Sequence, residues 1–155
     1  MSTLHFEFVA QDRMIYEGDV TMVILPGADG VIGVLPKHAP LMAVVSPGEV
    51  QVRAEGQPDQ FFAVGGGFVE VRPDKVVLVA RSGEAAEEID AVRAEAALRR
   101  AQEWLESSER ERDPDRRVAM EAALRRSHAR LNIARRRHGA RRSSRGVDYG
   151  SGGEA

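Results

Sequence analysis

The amino-acid sequence predicts an α+β protein: an N-terminal antiparallel β-sandwich, a C-terminal αα-hairpin and a disordered tail. Three observations predict it. Short apolar runs with period-two alternation, punctuated by Gly and Pro, fill residues 1–86. Helical spacing of apolar residues in an Ala/Arg/Glu-rich background replaces them over 87–138. Residues 139–155 are rich in Gly, Ser and Arg, a composition with too little apolar surface to fold.

In the first segment Leu4, Phe6 and Phe8 alternate with His5, Glu7 and Val9, as in a half-buried strand. Further strands are expected at 14–16, 20–25, 31–35, 41–45, 50–53, 60–64, 68–71 and 75–80. Turn residues separate them: Gly18, Pro26-Gly27, Gly30, Pro36, Pro47-Gly48, Gly56, Pro58, Gly65-Gly66-Gly67 and Pro73. Many short strands at regular spacing indicate a sandwich or barrel. Aromatic residues are few, so Val, Ile and Leu must supply most of the core, at about 1.5–3 kcal/mol for each buried side chain.

The first helix is expected from Glu87, with Ile89, Val92, Ala96, Ala97, Ala101, Trp104 and Leu105 at helical spacing, and it stops at Ser107-Ser108. Asp113-Pro114 starts a second helix, because Asp caps free N–H groups and Pro loses no hydrogen bond at the first helical position. Met120, Leu124, Ser127, Leu131 and Ala134 form its apolar seam, and Gly139 is the expected stop. Alanine buries little area, so the hairpin should be weakly held.

Charge divides the chain in the same way. Residues 1–86 carry net −5, and residues 87–155 carry net +3, with every basic residue of the second part an Arg. No run of about 18 apolar residues is present, and residues 1–7 lack the basic start and apolar core of a signal peptide. The expected address is therefore cytoplasmic. The absence of Cys excludes disulfides, thiolate zinc sites and Cys nucleophiles.

No phosphate loop, H-E-x-x-H or G-x-S-x-G motif occurs. The Gly65–Gly67 triplet precedes a strand and not a helix, so it reads as a turn or bulge. His5, His38, His128 and His138 lack ligand spacing along the chain, and no metal site is expected from them. No set of residues supplies a nucleophile, a base and an orienting group, so no catalytic residue is expected.

The run from Leu25 to Leu41, LPGADGVIGVLPKHAPL, resembles the signature of bacterial F-type ATP synthase epsilon subunits. Tyr16-Glu17-Gly18-Asp19-Val20, Gly66-Gly67-Phe68-Val69-Glu70-Val71 and Ile89-Asp90-Ala91-Val92-Arg93-Ala94 match further family runs, in order and spacing over about residues 3–137. The resemblance implies a sandwich on the central stalk, against the gamma subunit and the c-subunit ring, coupling proton flow to ATP synthesis. It implies a non-catalytic subunit that is peripheral on the cytoplasmic face of the plasma membrane, held there only through the complex. It also implies that the hairpin can fold on the sandwich, or extend toward the alpha and beta subunits and inhibit ATP hydrolysis. Asp29, Gly30, Lys37 and His38, in a loop and turn system at one end of the sandwich, are the expected stalk and c-ring contacts.

No cofactor is required under this resemblance, but a regulatory ATP is implied, with Asp90, Arg93, Arg126 and Arg130 matching the family's nucleotide residues. Asp90 and Arg93 are spaced i,i+3, and Arg126 and Arg130 i,i+4, so each pair shares a helix face. Arg presents a planar fork suited to phosphate. Asp90 has a structural alternative as a charge at a helix N-terminus. Arg135, Arg136 and Arg137 form an expected inhibitory basic face toward acidic beta-subunit segments. A second class of function is an Arg-rich nucleic-acid-binding module. Only Trp104 and Tyr149 offer stacking rings after residue 87, so nucleic acid is not the expected partner.

Overall fold

The computed structural model describes residues 2–107 and 111–144, with side chains through Arg136. The expected tail falls mainly on 145–155, outside the described residues. Eight strands run in chain order: β1 Leu4–Ala10, β2 Met14–Val20, β3 Met22–Gly27, β4 Gly30–Val34, β5 Leu41–Arg53, β6 Gln60–Val71, β7 Lys75–Ala80 and β8 Gly83–Ala85. A 3-10 turn at Ala86–Glu88 leads to α1, Ala91–Glu106, and α2, Pro114–Ser144.

The strand order is β2-β1-β7-β6-β5-β3-β4, with β8 paired to β6. All pairs are antiparallel except β1 with β7, which run parallel. Alternation along β1 is complete: Leu4, Phe6, Phe8 and Ala10 are buried, while His5, Glu7 and Val9 lie on the other face. Phe8 meets Phe62 edge-on at 5.9 Å, and Tyr16 meets the same ring at 5.6 Å. These contacts join β1 and β2 to the first half of β6. Val20, Val23, Leu25, Val34, Val50, Val52, Val69, Val76 and Leu78 complete the sandwich core.

Four expectations need correction. The runs at 41–45 and 50–53 belong to one strand of 13 residues, and those at 60–64 and 68–71 to one of 12. Pro47-Gly48 and the glycine triplet bend these strands without ending them, since pairing continues from Val45↔Gly67 to Pro47↔Gly65. Gly66 adopts φ +94, and a Cβ on Gly67 would lie 2.1 Å from the Val79 carbonyl oxygen. The triplet therefore lets β6 change direction and lets β7 approach closely.

The first helix starts at Ala91, four residues after Glu87. Asp90 caps it, its carboxylate accepting from the Arg93 N–H at 3.1 Å. The second helix starts as expected: Asp113 accepts from the Arg116 N–H at 3.0 Å. It does not stop at Gly139 but continues to Ser144, because one Gly costs only about 1 kcal/mol in a helix of 31 residues.

The two faces of α2 have different partners. Ser127, Leu131 and Ala134 are buried along the predicted seam, and α1 buries Ala94 and Ala101. Ile133 lies off that seam and packs with Ala134 against Ala63, Ala86 and Ile89, with Phe61 beside them. Through this small cluster the hairpin rests on the sandwich. At the hairpin's far end the Arg116 guanidinium lies 5.1 Å above the Trp104 ring.

Candidate functional site

Where α2 crosses the sandwich it leaves a cleft of about 400 Å³. The β6 strand contributes Ala63, Val64 and Gly65, and the chain around β8 contributes Ser82, Gly83 and Glu84. Ala97 comes from α1, and Ala123, Arg126, Ser127 and Arg130 come from α2. Arg13, from the β1–β2 turn, closes one side. Three guanidinium groups thus share the cleft with one carboxylate, and Glu84 is ion-paired to Arg130. Ser127 is the buried polar residue of the described chain, 4% exposed. The floor is small by necessity. A Cβ on Gly65 would meet the Ser82 hydroxyl at 2.0 Å and the Arg126 side chain at 3.3 Å.

Arg13 also fixes the root of the hairpin. It donates to both Glu88 carboxylate oxygens, at 3.2 and 3.1 Å, and to the Gly83 carbonyl at 3.3 Å. Glu88 in turn accepts from the Ala85 N–H at 3.0 Å. The Arg13 hydrogen bond, followed by that of Ala85, holds the Glu88 carboxyl below its ordinary pKa. The chain entering α1 is therefore tied to the sandwich independently of α2.

Of the four residues expected to meet a nucleotide, Arg126 and Arg130 converge on this cleft. Asp90 and Arg93 do not line it. The Asp90 carboxylate is engaged as the helix cap, and Arg93 is exposed one turn before Ala97. Arg13 joins the cleft unannounced by the sequence. Its hydrogen-bond partners Gly83 and Glu88 lie 70 and 75 residues away, and no spacing rule connects a turn to segments that far along the chain.

In the expected basic face, Arg135 is exposed, while Arg136 pairs with Glu49 of β5 at 2.7 Å. The side chain of Arg137 lies outside the described residues. Arg136 is thus a second ionic link between α2 and the sandwich when the hairpin is folded. Exposed pairs of this kind contribute about 0–1 kcal/mol each.

The residues expected at one end of the sandwich do not form one loop system. Asp29 and Gly30 sit at the β3–β4 turn, whereas Lys37 and His38 follow the other end of β4. About 16 Å of extended strand separates the pairs. The strand expected at 31–35 is β4, Gly30–Val34, and its length sets the two pairs apart. Lys37 adopts φ 68, and its N–H bonds the Pro73 carbonyl at 2.7 Å. This left-handed conformation costs a non-Gly residue roughly 1–2 kcal/mol.

A further surface is apolar. Val44, Phe68 and Val79 are direct cross-strand neighbours on β5, β6 and β7. All three project outward, 52%, 63% and 54% exposed, and Met42 on the same face of β5 is 77% exposed.

A family model described as the ATP synthase delta/epsilon chain beta-sandwich domain matches residues 3–86, and its long alpha-helix domain matches residues 87–135. The chain belongs to the ATP synthase delta/epsilon family. The ATP synthase epsilon chain of Halalkalibacterium halodurans is 41% identical over 136 residues, covering 88% of this chain and all of the relative. That of Moorella thermoacetica is 42% identical over 135 residues, covering 86% and 98% respectively. A chain in the cryo-EM structure of the Euglena gracilis mitochondrial ATP synthase (OSCP/F1/c-ring, rotational state 1) shares the fold. The TM-score is 0.72 at 24% identity, covering 83% of this chain and 79% of that one. Within this family the chain thus combines a sandwich with a folded hairpin. No helix among the described residues is long and apolar enough to cross a membrane.

Proposed function

We propose that this family member is the non-catalytic epsilon subunit of the central stalk of a proton-translocating F-type ATP synthase, and that its hairpin restrains ATP hydrolysis when it leaves the sandwich. One observation carries the reading: a well-packed sandwich bears a hairpin through a five-residue cluster and two ion pairs. The body can stay anchored while the arm moves. The row Val44–Phe68–Val79 is the surface best suited to the gamma subunit, since exposed contiguous apolar patches mark protein interfaces. The turns at Asp29-Gly30 and at Lys37-His38 remain for the polar loops of the c ring, as two separate contacts. Co-expression with the gamma subunit of the same complex tests the assignment. Joint purification is expected, and a chain that never travels with gamma refutes it.

The cleft supports a regulatory nucleotide in the folded state. Arg126 and Arg130 face it from adjacent turns of α2, and a bound phosphate would compete with Glu84 for Arg130. Titration of the full chain with ATP is expected to show saturable binding. Arg126→Ala should weaken it at least tenfold, since charge-assisted hydrogen bonds contribute about 1.5–3 kcal/mol. The absence of binding at millimolar ATP, or an Arg126→Ala affinity equal to wild type, would remove nucleotide regulation and leave the rotor assignment standing.

A further inference from the structure

The outer face of the β1–β2 ribbon carries a cluster separate from the hairpin and its cleft. His5 and Glu7 alternate with buried residues on β1, and the register places His5 opposite Asp19 and Glu7 opposite Glu17. His5 Nδ1 lies 3.0 Å from Asp19 Oδ1, while Nε2 lies 3.6 Å from Glu7 Oε1 and 3.5 Å from Glu17 Oε1. One atom each of His5, Glu7 and Glu17 falls within a common 4.8 Å.

These distances distinguish two kinds of contact. The Nδ1 contact is a hydrogen bond. The two Nε2 contacts exceed the 2.7–3.2 Å of an N–H···O hydrogen bond, so neither carboxylate has closed on the ring. They match the edges of a tetrahedron around an ion with bonds of about 2.0–2.2 Å, whose edges are roughly 3.3–3.6 Å. The Asp19 bond places the proton on Nδ1, directing the Nε2 lone pair into the gap. This carboxylate–His arrangement orients many metal-bound imidazoles. Directly opposed like charges also destabilise a sheet pair, and Glu7↔Glu17 is such a pair. The Lys75 ammonium, 3.1 Å from Glu7, supplies one countercharge. Three carboxylates against that one ammonium leave a charge of −2 when His5 is neutral, which a divalent cation would balance.

We propose that His5 Nε2, Glu7 and Glu17 bind a divalent metal ion of the zinc class, with Asp19 positioning His5 and water completing the coordination. The nitrogen and carboxylate donors suit zinc better than calcium or magnesium, which take oxygen ligands. The ion would join the edge strand β2 to β1.

The test is calorimetric titration of the metal-free full chain with zinc chloride at neutral pH, with cobalt(II) absorption as a geometric probe. One zinc per chain and a tetrahedral cobalt spectrum are expected. His5→Gln and Glu17→Gln should each weaken binding at least tenfold, and Asp19→Asn by about 10- to 100-fold. Glu17→Gln is isosteric and lies on the exposed edge strand, so it keeps the test valid if His5→Gln perturbs the fold. Failure of the chain to bind zinc would overturn the proposal, as would binding undiminished in both Glu17→Gln and Asp19→Asn, which would place the ion at another histidine.

Discussion

Replacing Ile133 by Ala is expected to release α2 from the sandwich while the sandwich stays folded. Ile133 is 1% exposed and is the large side chain that α2 contributes to the docking cluster. Truncating a buried Ile to Ala costs about 2–5 kcal/mol. Other docking contacts include Ala134, the partly buried Arg130–Glu84 pair and the more exposed Arg136–Glu49 pair, the last contributing about 0–1 kcal/mol. The loss removes the large apolar contact of α2 in this cluster. Hydrogen exchange reads the effect directly. Opening of α2 should become at least thirtyfold more favourable, since about 1.4 kcal/mol is a factor of ten. Amides of β1, β6 and β7 should keep their protection. Unchanged exchange in α2 would show that other contacts hold it. Simultaneous loss of protection in the sandwich would show that body and arm unfold as one unit.

The second large effect is expected at Phe68. Its ring is 63% exposed between Val44 and Val79, so Phe68→Glu should change the stability of the isolated chain by no more than about 0.5 kcal/mol. At the centre of an interface, the same change desolvates a charge and removes an aromatic anchor. Such central residues cost about 2 kcal/mol or more when truncated. Affinity for the gamma subunit should fall at least thirtyfold, as measured by titration of labelled chain. An unaltered affinity would place gamma on another face of the sandwich.

These expectations rest on features of unequal visibility in the sequence. The inward face of β1 and the cap at Asp113 were readable, because alternation and capping are local. Bends in β5 and β6 were not. Pro47-Gly48 and the glycine triplet carry the same turn signal whether the chain reverses or only bends, and only the cross-strand register decides. Ile133 stood outside the predicted seam, since a periodicity argument finds one apolar face and α2 has two. A helix with one Ile three residues after Arg130 and seven after Arg126 held the clue: these three share the face toward the sandwich. Arg13 and the carboxylates around His5 were invisible for a different reason. Glu7 apart, these groups meet neighbours from other elements, so spacing along the chain says nothing about them. Asp90 was expected as a nucleotide contact or as a charge at a helix N-terminus, and in the folded hairpin its carboxylate caps α1.

A sandwich fixed to the rotor and an arm that detaches from it is the arrangement from which the other functional expectations follow. ATP hydrolysis by the assembled complex tests it most directly, with the complete chain compared to one ending at Glu88. That cut keeps the Arg13–Glu88 tie and removes α1 and α2. The shortened chain should assemble normally and hydrolyse ATP faster. Equal rates with equal assembly would contradict a restraining role for the hairpin.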